Sequence, residues 1–82
     1  MSKPTQEQIK ELWEGCVKGN ELSNLLIGGI NSIDLNNLFK HAPHRMSTAL
    51  WRKIIRNWAS TITGDYEKDT LDLFWAIYGV MK

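Results

Sequence analysis

The side chains able to carry chemistry are few, and their spacing argues against most of it. His41 and His44 stand three residues apart, a spacing that suits a metal, yet Pro43 lies between them and Cys16 is the single cysteine. A tetrahedral set of nitrogen and sulfur ligands is therefore not expected. One cysteine and two neighbouring histidines suggest neither a Cys-His nor a Ser-His-Asp arrangement. Cys16 falls on an apolar stripe and reads as a small buried hydrophobe. Gly28-Gly29 lacks the Lys-Ser/Thr and the preceding strand of a phosphate loop. Asp65, Glu67, Asp69 and Asp72 share only their charge with a calcium loop, because its spacing, central glycine and terminal glutamate are missing. No enzymatic activity, metal site or cofactor is expected.

What remains is a separation of charge. Residues 35 to 64 hold five Lys/Arg and no Asp or Glu, whereas residues 1 to 34 carry three Lys against five acids and residues 65 to 82 two Lys against four. The formal total of +1 hides this. Arg45, Arg52, Lys53 and Arg56 form the candidate basic patch. Asp65, Glu67, Asp69 and Asp72 form the candidate acidic patch, with Glu7, Glu11 and Glu14 as a second acidic set. A solvated helix face is the plain reading of Arg52, Lys53 and Arg56. Against it, no acid stands three or four positions away, although such pairs stabilise a helix by about 0.3 to 0.5 kcal/mol each. Patches of opposite sign suit an acidic partner, and a second copy of the chain would qualify.

These residues must be positioned by a small domain. A chain of 82 residues, 43% apolar and 23% charged, has material for one domain with a modest core. A lone cysteine allows no internal disulfide. The polar start from Met1 to Gln8 has no apolar region of a signal peptide, and no apolar run approaches the roughly 20 residues of a membrane span. A cytoplasmic protein without membrane contact is expected.

Helical signals dominate. Thr5 and Gln8 have capping-box spacing, and Ile9, Leu12, Trp13, Cys16 and Val17 recur on one face, giving a helix over about residues 6 to 18. Asn20 can cap a second helix with Leu22, Leu25 and Leu26, ended by Gly28-Gly29. Asn31 or Ser32 can cap a third helix carrying Ile33, Leu35, Leu38 and Phe39, which must stop near Pro43. The strongest element runs from about Ser47 to Thr61, with Leu50, Trp51, Ile54, Ile55, Trp58 and Ile62 in one stripe. After a turn at residues 63 to 65, a last helix covers residues 67 to 81. Nine of the eleven residues from Leu71 to Met81 are apolar. That helix is therefore either wrapped by the others, the favoured arrangement, or partly exposed for a partner, and then Leu73 and Trp75 are the apolar residues expected at the surface. The fold expected is all-α, a compact bundle of five or six short helices forming a single domain over residues 1 to 82.

The order of these elements resembles the death domain of the death-fold superfamily over roughly residues 20 to 80. The likeness rests on Ser32-Ile33-Asp34-Leu35 opening a short helix, the His41-Ala42-Pro43 break, and Leu50-Trp51-Arg52-Lys53-Ile54-Ile55-Arg56-Asn57-Trp58. Gly64 takes the place of the family's turn glycine, and Thr70, Leu71, Phe74 and Tyr78 take its last apolar pattern. Leu22 stands where the family usually has Trp, and the family's sixth helix has no counterpart before Lys82. The resemblance implies a non-enzymatic, adaptor-like signalling module that pairs with itself or a similar helical domain and forms a homo-oligomer. Two other readings compete: a small regulator or inhibitor of one larger protein, and a helix-turn-helix nucleic-acid binder over residues 33 to 58, disfavoured by the low net charge and the proline in its turn.

Overall fold

Four of the five helices begin where a side chain takes up a free N–H group of the first turn; the exception starts at Asn20, which does not cap it as expected but lies inside it, after Gly19, with no side-chain cap. The computed structural model describes residues 3 to 81 and contains five α-helices: α1 (Gln6–Cys16), α2 (Asn20–Gly28), α3 (Leu35–His41), α4 (Thr48–Ala59) and α5 (Tyr66–Met81). Short 3-10 turns, Gly29–Ser32 and Ala42–Arg45, flank α3. Thr5 and Gln8 form the reciprocal capping box at α1, at 3.2 and 2.8 Å. Ser47 Oγ accepts from the Leu50 N–H to start α4. α3 departs from expectation. Its cap is Asp34, whose Oδ1 accepts from the Asn37 N–H at 2.7 Å, while Asn31 and Ser32 lie in the preceding 3-10 turn. The chain tightens into that turn after α2, so the start of α3 moves downstream. Pro43 acts as anticipated: α3 ends at His41 and the proline sits in the first positions of the following turn, where it needs no N–H partner.

The five helices share one core, and α5 runs through it. Leu73, Phe74 and Ile77 of α5, Leu38 and Ala42 near α3, and Trp13 of α1 have no exposed surface. Ile9, Leu12, Ile54 and Trp58 complete the packing. With three helices packed against it, α5 needs apolar residues on more than one side, which accounts for its composition. The reading of Leu73 as an exposed apolar residue is thereby corrected, since it lies at the centre of the core. Trp75 is only half-buried, edge-on to Phe74 and Tyr78 at 5.1 and 5.6 Å. Ile62 also departs from expectation. α4 stops at Ala59, so the helical stripe ends at Trp58 and Ile62 is exposed. The Cα radius of gyration, 11.9 Å, matches the roughly 11.7 Å of one packed globule of this length.

Two buried polar groups, Trp13 and Ser32, are tied to each other. The Trp13 indole donates to Ser32 Oγ at 2.8 Å, and the Ser32 hydroxyl donates to the Gly29 carbonyl at 2.7 Å. The indole N–H would otherwise be sealed in an apolar core with no partner. Ser32→Ala is expected to cost about 1 to 3 kcal/mol, the usual penalty for orphaning a buried donor, measured by chemical denaturation. Ser32→Thr, which keeps the hydroxyl, should recover part of that loss.

Candidate interaction surface

The amphipathic pattern of α4 decides what the surface offers. Ile54 and Trp58 face the core, Trp51 and Ile55 lie half-buried at its edge, and Arg52, Lys53 and Arg56 are exposed. Arg52, Lys53 and Arg56 line one open depression with Ala49 and Asn57. Arg52 and Arg56 also line a second, apolar one with Trp51 and Ile55. The two guanidinium side chains thus form a ridge shared by the two depressions. Phe39 of α3, expected on the buried stripe of its helix, is 41% exposed and meets both Trp51 and Trp58 edge-on, each at 5.8 Å. An aromatic run therefore passes from the core to the surface beside the ridge. Phe39 escaped the sequence reading because its periodicity is that of a core residue. Among the described residues, the ion pairs are Lys3 with Glu67, His41 with Glu21 and Lys68 with Asp72, and none involves α4.

Arg45 does not join this group. It is exposed at the end of the second 3-10 turn and lines neither α4 depression. Its charge instead acts on Cys16, whose thiol is pushed up to about 11 by burial, with Arg45 opposing. A thiol so shifted is neutral near pH 7 and a poor nucleophile. Cys16 lies 3.9 Å from the Met81 sulfur, a packing contact between α1 and α5.

The acidic patch is largely consumed by its own neighbourhood. Asp69 is buried, which corrects its placement on an acidic surface: Oδ1 accepts from the Thr63 N–H at 2.9 Å and Oδ2 from the Gly64 N–H at 3.0 Å. The Thr63 N–H, followed by the Gly64 N–H and the Thr63 hydroxyl, holds the Asp69 carboxyl below its ordinary 3.8 against the opposing effect of burial. Asp65 caps α5 by accepting from the Lys68 N–H, Glu67 pairs with Lys3 at 3.4 Å, and Asp72 pairs with Lys68 at 2.7 Å. Asp65 and Glu67 remain exposed and Asp72 half-buried, each beside a local donor or cation. On α1, Glu7, Glu11 and Glu14 are exposed, and Glu11 accepts from the Tyr78 hydroxyl at 3.3 Å.

His41 is not part of the basic surface: it is 7% exposed, stands edge-on to Trp13 at 5.8 Å and lies 3.6 Å from Glu21. Burial lowers its pKa from 6.5, Glu21 opposes, and Lys40 and His44 add to the lowering. No three His, Cys, Asp or Glu side chains converge in a way that could hold a metal ion among the described residues. No helix of the described residues is long and apolar enough to cross a membrane.

Compared with known proteins, the chain matches no family model, no curated protein and no solved structure.

The surroundings of His41 and Asp69 set two windows of acid sensitivity. The fold favours neutral His41, so as pH falls through about 6.5 the unfolded chain takes up a proton first and stability drops until the folded chain is also protonated. The fold favours ionised Asp69, so its contribution is present above 3.8 and disappears as pH falls through the lower folded value. Melting curves across pH should show both steps. His41→Phe, which keeps a ring against Trp13, should flatten the upper step and leave the lower one. An unchanged upper step in that variant would show that His41 is not its source.

Proposed function

We propose that this chain is a non-enzymatic protein-binding module and that the outer face of α4 takes up an acidic protein surface. The carrying observation is the Arg52–Arg56 ridge with Lys53, a cluster of like charge without a counter-ion among the described residues, bordered by half-buried Trp51 and Ile55. Like charges one turn apart raise the energy of the free protein, and a partner's carboxylates remove that cost on binding. Trp and Arg are the side chains that most often carry the energy of protein interfaces. The resemblance to death domains implies the same class of activity. Pairing with a second copy through residues 65 to 72 is less well supported, because those carboxylates already have local partners. Nucleic-acid binding would leave the apolar border of the ridge without a role.

Charge reversal tests this. Arg52→Glu combined with Arg56→Glu should leave the helical circular dichroism and melting temperature nearly unchanged, since both side chains are exposed, while abolishing retention of the acidic proteins bound by the unmodified chain. Retention of the same proteins by the double variant would sink the proposal. Retained material that disappears on nuclease treatment, with affinity for duplex DNA falling in salt at a log-log slope of about −0.9 per phosphate contacted, would instead assign the ridge to nucleic acid.

A further inference from the structure

We infer that the partner segment seated on α4 is an acidic amphipathic helix, carrying carboxylates one turn apart for Arg52 and Arg56 and an apolar side chain for the trough beside them. This rests on the proposed function and adds the partner's form.

Three observations lead there. Arg52 and Arg56 are four residues apart on one helix, so their charges lie along a line about one turn long. Carboxylates at matching separation on a second helix can meet both. The trough lined by Trp51, Arg52, Ile55 and Arg56 is a shallow, widely open depression of about 260 Å³, against which a leucine-sized side chain can lie. Its walls are apolar except for the ridge, so a wholly polar acidic segment would leave them wet. Finally, the surface is helical throughout. No strand is present among the described residues, and the α4 backbone is hydrogen-bonded within its own helix, so an extended peptide would find no edge to pair with. A helix satisfies its own backbone and needs only side-chain contacts.

A second copy of this chain does not present such a segment. The acidic face of α1 includes Glu7, Glu11 and Glu14, but the apolar residues Ile9, Leu12, Trp13 and Cys16 are buried in its own core. Ile27 of α2 is 85% exposed, yet the only acid on α2 is Glu21, which pairs with His41. On α5, Glu67 and Asp72 already pair with Lys3 and Lys68 and Asp69 is taken up by the turn at Thr63 and Gly64, so the partner is a different protein.

The test uses two synthetic helical peptides of about 15 residues, near the length at which isolated helices become stable in water. Both carry glutamates four apart; one has leucines along the adjacent face and the other has serines there. Polyglutamate and a single-stranded oligonucleotide serve as further probes. With the full chain, the leucine peptide is expected to bind at least about tenfold more tightly than the serine peptide. Arg52→Ala with Arg56→Ala should weaken both, and Ile55→Asn should erase the difference between them, with circular dichroism checking that each variant is folded. Equal binding of the two peptides, with both dependent on the arginines, overturns the helical-anchor inference and leaves the proposed function standing. Absence of binding by either peptide also overturns it. Binding that ignores the arginines, or an oligonucleotide that outcompetes the leucine peptide, overturns both.

Discussion

The indole N–H of Trp58 donates to the backbone carbonyl of Asp69 at 2.8 Å, and the Asp69 carboxylate takes the N–H groups of the intervening turn at Thr63 and Gly64. One residue thus fixes the end of α4, the shape of the turn and the start of α5. The turn needs a backbone at φ 91° at position 64, which glycine adopts without strain. Because Trp58 cannot rotate away from α5 without orphaning its N–H in the core, the roll of α4 about its own axis is set. That roll determines which residues lie at the border. Trp51 and Ile55 are held half-out and Arg52, Lys53 and Arg56 fully out. The candidate surface therefore depends on a hydrogen bond on the opposite side of the helix.

Much of this was legible in the sequence, and the parts that were not have a common cause. Helix positions with caps made of neighbours, such as Thr5 with Gln8 and Ser47 with Leu50, can be read from spacing because all the atoms involved lie within one turn. The stripe of α4 is equally local. Asp69, His41 and Ser32 could not be placed that way, since each is buried against residues brought in by another segment: the 63 to 64 turn, Trp13 with Glu21, and Trp13 again. Polar residue types read as surface until a distant donor or ring is known to cover them. Phe39 fails in the opposite direction, because apolar periodicity marks a face without saying whether a neighbour arrives to cover it.

The same asymmetry divides the charges. Acidic residues in the 65 to 72 segment lie at the start of α5, where exposed N–H groups and the helix dipole favour carboxylates, and Lys68 and Lys3 supply cations. Their charge is used in building the fold. The cations of α4 have no comparable internal role: Arg56 is in the last turn, where a positive charge is favourable, but Arg52 and Lys53 are not. Removing them should matter little to the monomer, which separates this face from the structural electrostatics around it.

The central position of α5 has a consequence for how the protein comes into being. Leu73, Phe74 and Ile77 fill the space between the other helices, and they belong to the last-made of the five. Without residues 66 to 81, α1 still has α2 and the two 3-10 turns to pack against, but the side of the core that α5 fills has no cover. Trp58 in particular has its indole partner only once α5 is in place, since that partner is the Asp69 carbonyl. A truncation within α5 that removes Leu73, Phe74 and Ile77 therefore empties the space shared by α1, α3 and α4.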